Sequence, residues 1–188
     1  MKDEKETLFN ESRDKFMRLA SYLDTELKRL YDDGVLTKID WMRVYLDTCC
    51  LCRPYDDLTK IRNKIESESV LFLLDLIDSD KIQWVKSEFL EFEISNIKSF
   101  TKRKRVQKFL DYKEIEFVEV NDNLVKRAKE LSRLRIQNGD AMHVISAIFG
   151  KADIFLSTDD GLISAGKKNE SLLKIKFFNP AEFIYEVN

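Results

Sequence analysis

Five short apolar runs recur along most of the chain, and helical patterns separate each run from the next. These runs predict buried strands at Val44 to Leu46, Ile82 to Val85, Ile115 to Val120, Ile154 to Leu156 and Ile175 to Phe178. Strands that alternate with helices are typical of an α/β fold, because a parallel strand needs a crossover connection before the next one. The sequence therefore predicts a central, mostly parallel sheet flanked by helices.

The helical patterns between the strands differ in length and polarity. The spacing predicts a long helix over 58–77, a helix from about Glu88, and further helices over 102–110, over 122–134 and from Leu162. Asn138-Gly139 is expected to break the chain before a very apolar helix, Asp140 to Phe149. Asn179-Pro180 is expected to open a closing helix.

The composition excludes several other classes of protein. Of the 188 residues, 44% are hydrophobic, which is enough for a packed core and excludes an intrinsically disordered chain. With only five glycines and two prolines, a many-turned all-β architecture is excluded as well. The net charge of −2 gives no sign of a strongly basic nucleic-acid-binding domain.

The cellular setting is predicted from the apolar runs and the cysteines. No run is long enough to cross a membrane, and the first residues are too polar for a signal peptide, so we expect no membrane partner. Cys49, Cys50 and Cys52 are odd in number and too close together for a disulfide framework. They lack the second ligand pair of a zinc finger, so we expect buried thiols in a reduced, cytoplasmic protein.

Residues 1–41 differ from the rest of the chain. Apolar residues from Phe9 to Leu30 recur at three- and four-residue steps, which predicts an amphipathic helix that ends near Asp33-Gly34. We treat this segment as an N-terminal helical extension of a domain formed by residues 42–188. Its role in dimerisation or partner binding is open.

Acidic residues follow the predicted strands at positions where ligands bind in parallel sheets. Asp47 ends the first strand, Asp159 and Asp160 follow the fourth, and Glu93 lies on the helix after the second. Glu93 shares its helical face with the apolar Phe89, Leu90 and Ile97, whereas Glu91 faces a polar side.

Apart from Asp47, these acidic residues and Asp140, at the start of its helix, also have an ordinary explanation. Glu93 can sit at the edge of its apolar stripe and reach water, and Asp140 can cap its helix. Asp159 and Asp160 can be turn residues before Gly161. If these side chains converge, however, their repulsion requires a cation, and oxygen ligands favour Mg²⁺ or Mn²⁺. Such ions serve phosphoryl chemistry.

The single histidine and the basic run each have a functional and a simpler structural interpretation. His143, the only histidine, lies one turn after Asp140 and could bond a ligand carboxylate or a phosphate, although a packed helix histidine is the simpler interpretation. The basic run Lys102, Arg103, Lys104 and Arg105 could contact a phosphate backbone or cover a solvated helix. No glycine-rich phosphate loop is present.

Four motifs carry a resemblance to a known family. Tyr45-Leu46-Asp47-Thr48-Cys49-Cys50 with Arg53-Pro54-Tyr55-Asp56-Asp57 resembles the opening strand and loop of PIN-domain proteins. The spacing from Ser87 to Glu93, the sequence Asp140-Ala141-Met142-His143 and the stretch from Ala152 to Asp160 resemble later motifs, in family order. Similar proteins include the VapC-type toxin ribonucleases. The three cysteines after Asp47 and residues 1–41 depart from the usual pattern.

The resemblance implies a PIN-like three-layer fold and an Mg²⁺- or Mn²⁺-dependent endoribonuclease. It implies a metal site of Asp47, Glu93, Asp140 and one of Asp159 or Asp160, of which Asp160 fits the pattern better. The residues expected to contact RNA are Thr48, Arg53, Thr158 and the run Lys102, Arg103, Lys104 and Arg105. The resemblance also implies that the protein is a toxin with an antitoxin partner. It implies a homodimer as well. The alternative is a PIN-like module that binds RNA or a protein without cutting.

Overall fold

The computed structural model describes residues 42–136 and 138–186, without the side chains of Asn138 and Glu186. The helix predicted within residues 1–41 therefore lies outside the described residues. Five strands occur where the sequence predicts them. They are β1 (Arg43–Leu46), β2 (Gln83–Ser87), β3 (Glu116–Val118), β4 (Ile154–Leu156) and β5 (Lys176–Phe178).

The strands form one sheet in the order β3-β2-β1-β4-β5, and every pairing is parallel. The predicted α/β class is confirmed, and among the described residues the sheet is parallel throughout rather than mostly. The first strand lies at the centre, where Tyr45 pairs with Val85 of β2 and with Phe155 of β4. The carboxyl ends of β1, β2 and β4 therefore meet at one edge.

Nine α-helices connect and follow these strands within the described residues. They are α1 (Thr48–Cys52), α2 (Ile61–Asp78), α3 (Glu88–Ser95), α4 (Phe100–Gln107), α5 (Asp122–Glu130), α6 (Asn138–Phe149), α7 (Asp160–Lys167), α8 (Glu170–Leu173) and α9 (Pro180–Glu186). The long predicted helices are present with shifted ends, while α1 and α8 were not predicted because four or five residues carry too little periodicity. Short 3₁₀ turns follow α1, α4 and α5.

One boundary differs from the prediction in a way that affects the site. Asn138-Gly139 does not break the chain but forms the first turn of α6. A Cβ atom at Gly139 would lie 3.0 Å from Glu93 Oε1 and 3.8 Å from the ring of Phe89. The glycine therefore allows the start of α6 to approach α3 closely.

The core covers both faces of the sheet. Val85, Tyr45, Phe155 and Phe177 form one buried row across four strands, with the rings of Tyr45 and Phe155 stacked at 5.6 Å. The alternate side chains on the opposite face are buried too; they are Val44, Leu46, Trp84 and Leu156. Because successive strand residues point to opposite faces, both faces must be covered. This arrangement is the three-layer fold that the motifs implied.

None of the helices in the described ranges combines the length and the apolar composition that a membrane span requires.

Candidate metal centre

Asp47 lies directly after the central strand and is almost fully buried. Its backbone N–H donates to Leu156 O at 3.0 Å, which continues the ladder between β1 and β4 by one residue. The side chain does not cap α1. Instead, its Oδ2 atom accepts hydrogen bonds from Ser157 Oγ at 2.8 Å and Cys49 Sγ at 3.0 Å. These donors hold the carboxylate at the edge of the sheet.

Glu93 lies in the second turn of α3, which Ser87 caps at the end of β2 by accepting from Leu90 N. The Oε2 atom of Glu93 is 2.8 Å from Nε2 of His143. This hydrogen bond is the main cause that lowers the pKa of the Glu93 carboxyl. Glu93 is only partly exposed, so it faces the histidine rather than simply reaching water from the edge of its apolar stripe.

His143 is 1% exposed and bridges the two carboxylates. Besides Glu93, its Nε2 atom lies 3.5 Å from Asp47 Oδ1 and 3.4 Å from Thr48 Oγ1. Its Nδ1 atom lies 2.9 Å from the hydroxyl of Tyr45. Burial disfavours the imidazolium, but the negative charges of Asp47 and Glu93 outweigh burial and raise the pKa of His143. The predicted contact between His143 and an acidic side chain is therefore present.

Asp140 occupies the first turn of α6 and belongs to the same charged group. Its pKa is raised, first by partial burial and then by the negative charges of Asp47 and Asp159. Such mutual effects require that these carboxylates lie close enough to repel one another. Asp140 and Asp159 thus add their charges to those of Asp47 and Glu93, which follow β1 and β2.

The two aspartates after β4 have different partners. Asp159 caps α7, because its Oδ1 atom accepts from Leu162 N at 2.9 Å. Both carboxylate oxygens of Asp160 bind the guanidinium of Arg62 at 2.6 Å, and this pairing lowers the pKa of Asp160. The structure thus gives Asp160, the member that fits the motif better, a partner on α2. Asp159 is the one whose charge acts on Asp140.

Thr48 and Thr158, which we expect to contact RNA, both adjoin the acidic group. Thr48 Oγ1 lies near His143, as described above. The hydroxyl of Thr158 is buried and has no hydrogen-bond partner among the described residues, although its backbone N–H donates to Cys49 Sγ at 3.2 Å. An unpartnered buried hydroxyl beside the site is consistent with a ligand-binding role.

The basic side chains that we expect to contact RNA differ in their partners: some form ion pairs, and others lie beside aromatic rings. Arg53 forms ion pairs with Asp56 at 3.1 Å and with the buried Glu66 at 2.8 Å. Lys102 also pairs with Asp56, at 2.7 Å. Arg103 and Lys104 lie 5.6 Å and 5.8 Å from the ring centre of Phe100, which is mostly exposed, and Arg105 lies beside Tyr55 at 5.9 Å.

Several residues of this centre were missed from the sequence. Ser157 and Cys49 bind Asp47, Tyr45 binds His143, and Arg62 binds Asp160. Ser157 could have been found by its position between β4 and Asp159. Tyr45 and Arg62 had no such signal, because their partners lie about 100 residues away along the chain.

The donor set fits a hard divalent cation. A ligand atom from each of Asp47, Glu93 and His143 lies within 4.8 Å of the others, and Asp140 and Asp159 add nearby charge. Partly buried carboxylates that repel one another are stabilised by a cation between them. Because the charged donors are oxygens, the set suits Mg²⁺ or Mn²⁺ better than Zn²⁺.

Comparison with known proteins identifies the family to which this chain belongs. The model of the PIN domain matches residues 44–168, which include every acidic residue discussed above. No curated protein matches the sequence. Among solved structures, the chain is similar to one in the crystal structure of VapBC2 from Rickettsia felis bound to a DNA fragment from their promoter. The identity is 16%, the TM-score is 0.46, and the match covers 73% of this chain and 98% of that one. The resemblance predicted from the four motifs is confirmed, and this chain belongs to the PIN domain family.

Proposed function

We propose that this protein is a divalent-metal-dependent endoribonuclease. One observation carries the proposal: Asp47, after β1, and Glu93, on the helix after β2, lie with His143 so that one ligand atom of each is within 4.8 Å of the others, and the charges of Asp47, Asp159 and Glu93 all act on Asp140. A structural role for this set would be costly, because neighbouring carboxylates repel one another unless a cation compensates them. PIN domains are generally nucleases, which agrees with this chemistry.

Asp47 and Glu93 would hold Mg²⁺ or Mn²⁺, and Asp140 and Asp159 would complete the acidic group around the ion. When bound, such a cation neutralises phosphate oxygens and lowers the pKa of a water molecule. The surrounding residues prepare the carboxylates. Ser157 and Cys49 donate to Oδ2 of Asp47, which leaves its Oδ1 atom facing the centre. Asp140 is exposed at the start of α6, where an RNA phosphate would approach it.

The first test measures cleavage of labelled single-stranded RNA with Mg²⁺, with Mn²⁺ and with a chelator. We expect Asp47→Asn, Asp140→Asn and Glu93→Gln each to lower the rate by about 100-fold or more, since such electrostatic effects contribute several kcal/mol to catalysis. Glu91→Gln, on the exposed side of the same helix, is the matched control and should cleave normally. Cleavage that survives both Asp47→Asn and Asp140→Asn would refute the proposal.

We further propose that α4 contacts the RNA backbone through Lys104, with Arg103 and Arg105 beside it. Lys104 and Arg105 are exposed, and the ring of Phe100 offers a surface on which a base could stack. Affinity for RNA should fall as salt rises, and Lys104→Ala should reduce that dependence. Lys176→Ala, exposed at the start of β5 and so at the opposite end of the strands, should leave the dependence unchanged.

A toxin role with an antitoxin partner, a homodimer and a cytoplasmic location are proposed on the sequence motifs alone. Expression of the intact protein should arrest growth, and Asp47→Asn should relieve the arrest. Harmless expression of a protein that cleaves RNA in vitro would count against the toxin role only. Failure of the intact protein to cut a broad RNA panel, while still binding RNA or a partner, would favour the non-catalytic module.

A further inference from the structure

The hydrogen bonds around His143 determine what this residue does in the centre. We propose that His143 is a positioning residue: its Nε2–H donates to Glu93, its ring is held by Tyr45, and it does not coordinate the metal ion. The inference rests on the proposed function, and it assigns the metal an all-oxygen set of protein ligands.

The buried end of the network is the hydroxyl of Ser87 at the end of β2. Its Oγ atom accepts a hydrogen bond from Leu90 N at 3.1 Å, in the cap of α3. It also lies 2.7 Å from the hydroxyl of Tyr45, and both side chains are fully buried. The serine can still donate its own proton to the phenol oxygen, which is the direction that the outer end of the network requires.

Tyr45 then has its own proton left for the histidine. Its hydroxyl lies 2.9 Å from Nδ1 of His143, which is normal hydrogen-bond distance. Donation from Tyr45 makes Nδ1 an acceptor and places the ring proton of the neutral imidazole on Nε2. Tyr45 also stacks on Phe155 in the core, so its hydroxyl is held in place by packing.

The outer end of the network requires the same proton position independently. Nε2 faces Oε2 of Glu93 at 2.8 Å and Oδ1 of Asp47 at 3.5 Å. Both carboxylates accept hydrogen bonds and donate none when ionised. A bare nitrogen lone pair at 2.8 Å from a carboxylate oxygen would be repulsive. With a proton on Nε2 this contact is a hydrogen bond to Glu93, and a protonated nitrogen has no lone pair for a metal ion.

The position of Glu93 also gives a reason for the glycine in the first turn of α6, the helix that carries His143. Gly139 leaves 3.0 Å between a would-be Cβ and Oε1 of Glu93, while His143 holds Oε2. Gly139 therefore leaves room for one oxygen of the carboxylate, while His143 holds the other. Hydrogen bonds that orient a ligand in this way typically change metal affinity or activity by about 10–100-fold.

Nuclear magnetic resonance can observe the proton directly, because the chain contains a single histidine. We would label the full-length protein with ¹⁵N and record two-bond proton–nitrogen spectra of the imidazole, without metal and with saturating Mg²⁺. We expect Nε2 to give the shift of a protonated nitrogen in both states. An unprotonated Nε2 in either state would overturn the proposal.

Substitutions give a second measurement that does not depend on cleavage. Tyr45→Phe removes only the hydroxyl and should weaken Mn²⁺ binding by about 10-fold, measured by calorimetry. Tyr55→Phe makes the same chemical change at a hydroxyl that contacts Arg105 O instead, and it should bind Mn²⁺ normally. Unchanged affinity in a folded Tyr45→Phe protein would contradict the role of the phenol.

The side chain at position 143 is tested in the same way. His143→Gln keeps a donor that can reach Glu93, so it should bind Mn²⁺ more tightly than His143→Leu, which has none. Equal losses in both folded variants would contradict a donor role. The outcomes also separate the two proposals. If the intact protein neither binds Mg²⁺ nor cleaves RNA, the proposed function fails, yet the metal-free spectrum still decides the proton on Nε2.

Discussion

At the scale of single residues, Asp159 and Asp160 show how neighbouring acids take different tasks. Asp160 is exposed and neutralised by Arg62, whose guanidinium also pairs with the buried Glu66. Asp159 caps α7 with one oxygen, and its negative charge helps to raise the pKa of Asp140. The chemistry of an aspartate is thus decided by its partners, which differ completely between adjacent positions.

Asp159→Asn removes the charge but keeps an oxygen that can cap α7. We therefore expect little change in thermal stability. Mn²⁺ affinity should fall on the order of 10-fold, because the acidic group loses one carboxylate. Asp160→Asn should leave Mn²⁺ affinity nearly unchanged. Calorimetric titration of both variants measures the difference. The opposite ranking would assign the fourth acidic position to Asp160, as the motif suggested.

Gly139→Ala is expected to separate stability from metal binding. Alanine favours a helix over glycine by up to about 1 kcal/mol, but its Cβ would press on Glu93 Oε1 at 3.0 Å. The flexible carboxylate should move aside, so the protein should stay folded and bind Mn²⁺ several-fold more weakly. Thermal unfolding and calorimetric titration measure the two effects. Unchanged affinity would show that Glu93 tolerates the displacement.

At the scale of secondary-structure elements, Lys86 connects β2 to the segment that leads into β3. The side chain is buried, and its Nζ atom donates to Leu110 O at 2.7 Å and Tyr112 O at 2.9 Å. It also forms an ion pair with Glu114 at 2.6 Å. A buried lysine inside a parallel strand is satisfied only because this segment folds over it.

Lys86→Met should destabilise the domain by about 1–3 kcal/mol, because two carbonyl oxygens lose their partner. Urea unfolding measures the change. Mn²⁺ affinity should stay near that of the parent protein, since the lysine contacts none of the acidic ligands. A loss of Mn²⁺ binding in the folded variant would instead connect this segment to the metal centre.

The partner of Lys86 predicts a pH dependence of stability. The hydrogen bond from Lys86 lowers the pKa of Glu114 below its usual 4.5. The unfolded chain binds that proton more readily, so this contribution is complete above 4.5 and is lost as pH falls through the lower folded-state pKa. Glu114→Gln should therefore lose less stability than the parent protein on acidification, as urea unfolding at several pH values can show. Equal losses would contradict the pairing.

Element prediction succeeded where local patterns are long. The five strands and the helices α2, α5 and α6 follow from apolar runs and helical spacing. The predicted start of α6 was wrong because glycine usually interrupts a helix, whereas Gly139 lies inside α6. Its place inside the helix depends on the close approach to Glu93, which no local pattern encodes.

At the scale of the whole molecule, the chain divides into two compact units, and Asp47, Glu93 and His143 all belong to the unit formed by residues 41–187. We therefore expect a protein truncated to residues 42–188 to fold cooperatively and to bind Mn²⁺ as the full chain does. Circular dichroism during heating and calorimetric titration test this expectation. A truncated protein that folds but fails to bind Mn²⁺ would assign residues 1–41 a part in the site.

The sequence by itself determined the alternation of strands and helices and the positions of Asp47, Glu93 and Asp140 relative to them. These features are local, because apolar spacing and the residue after a strand can be found along a single segment. The order β3-β2-β1-β4-β5 was decided only in the tertiary structure. That order places β1 between β2 and β4 and so brings the acidic ends together. The bonds from His143 to Tyr45 and Glu93 join residues 98 and 50 positions apart, and such contacts depend on how distant elements pack.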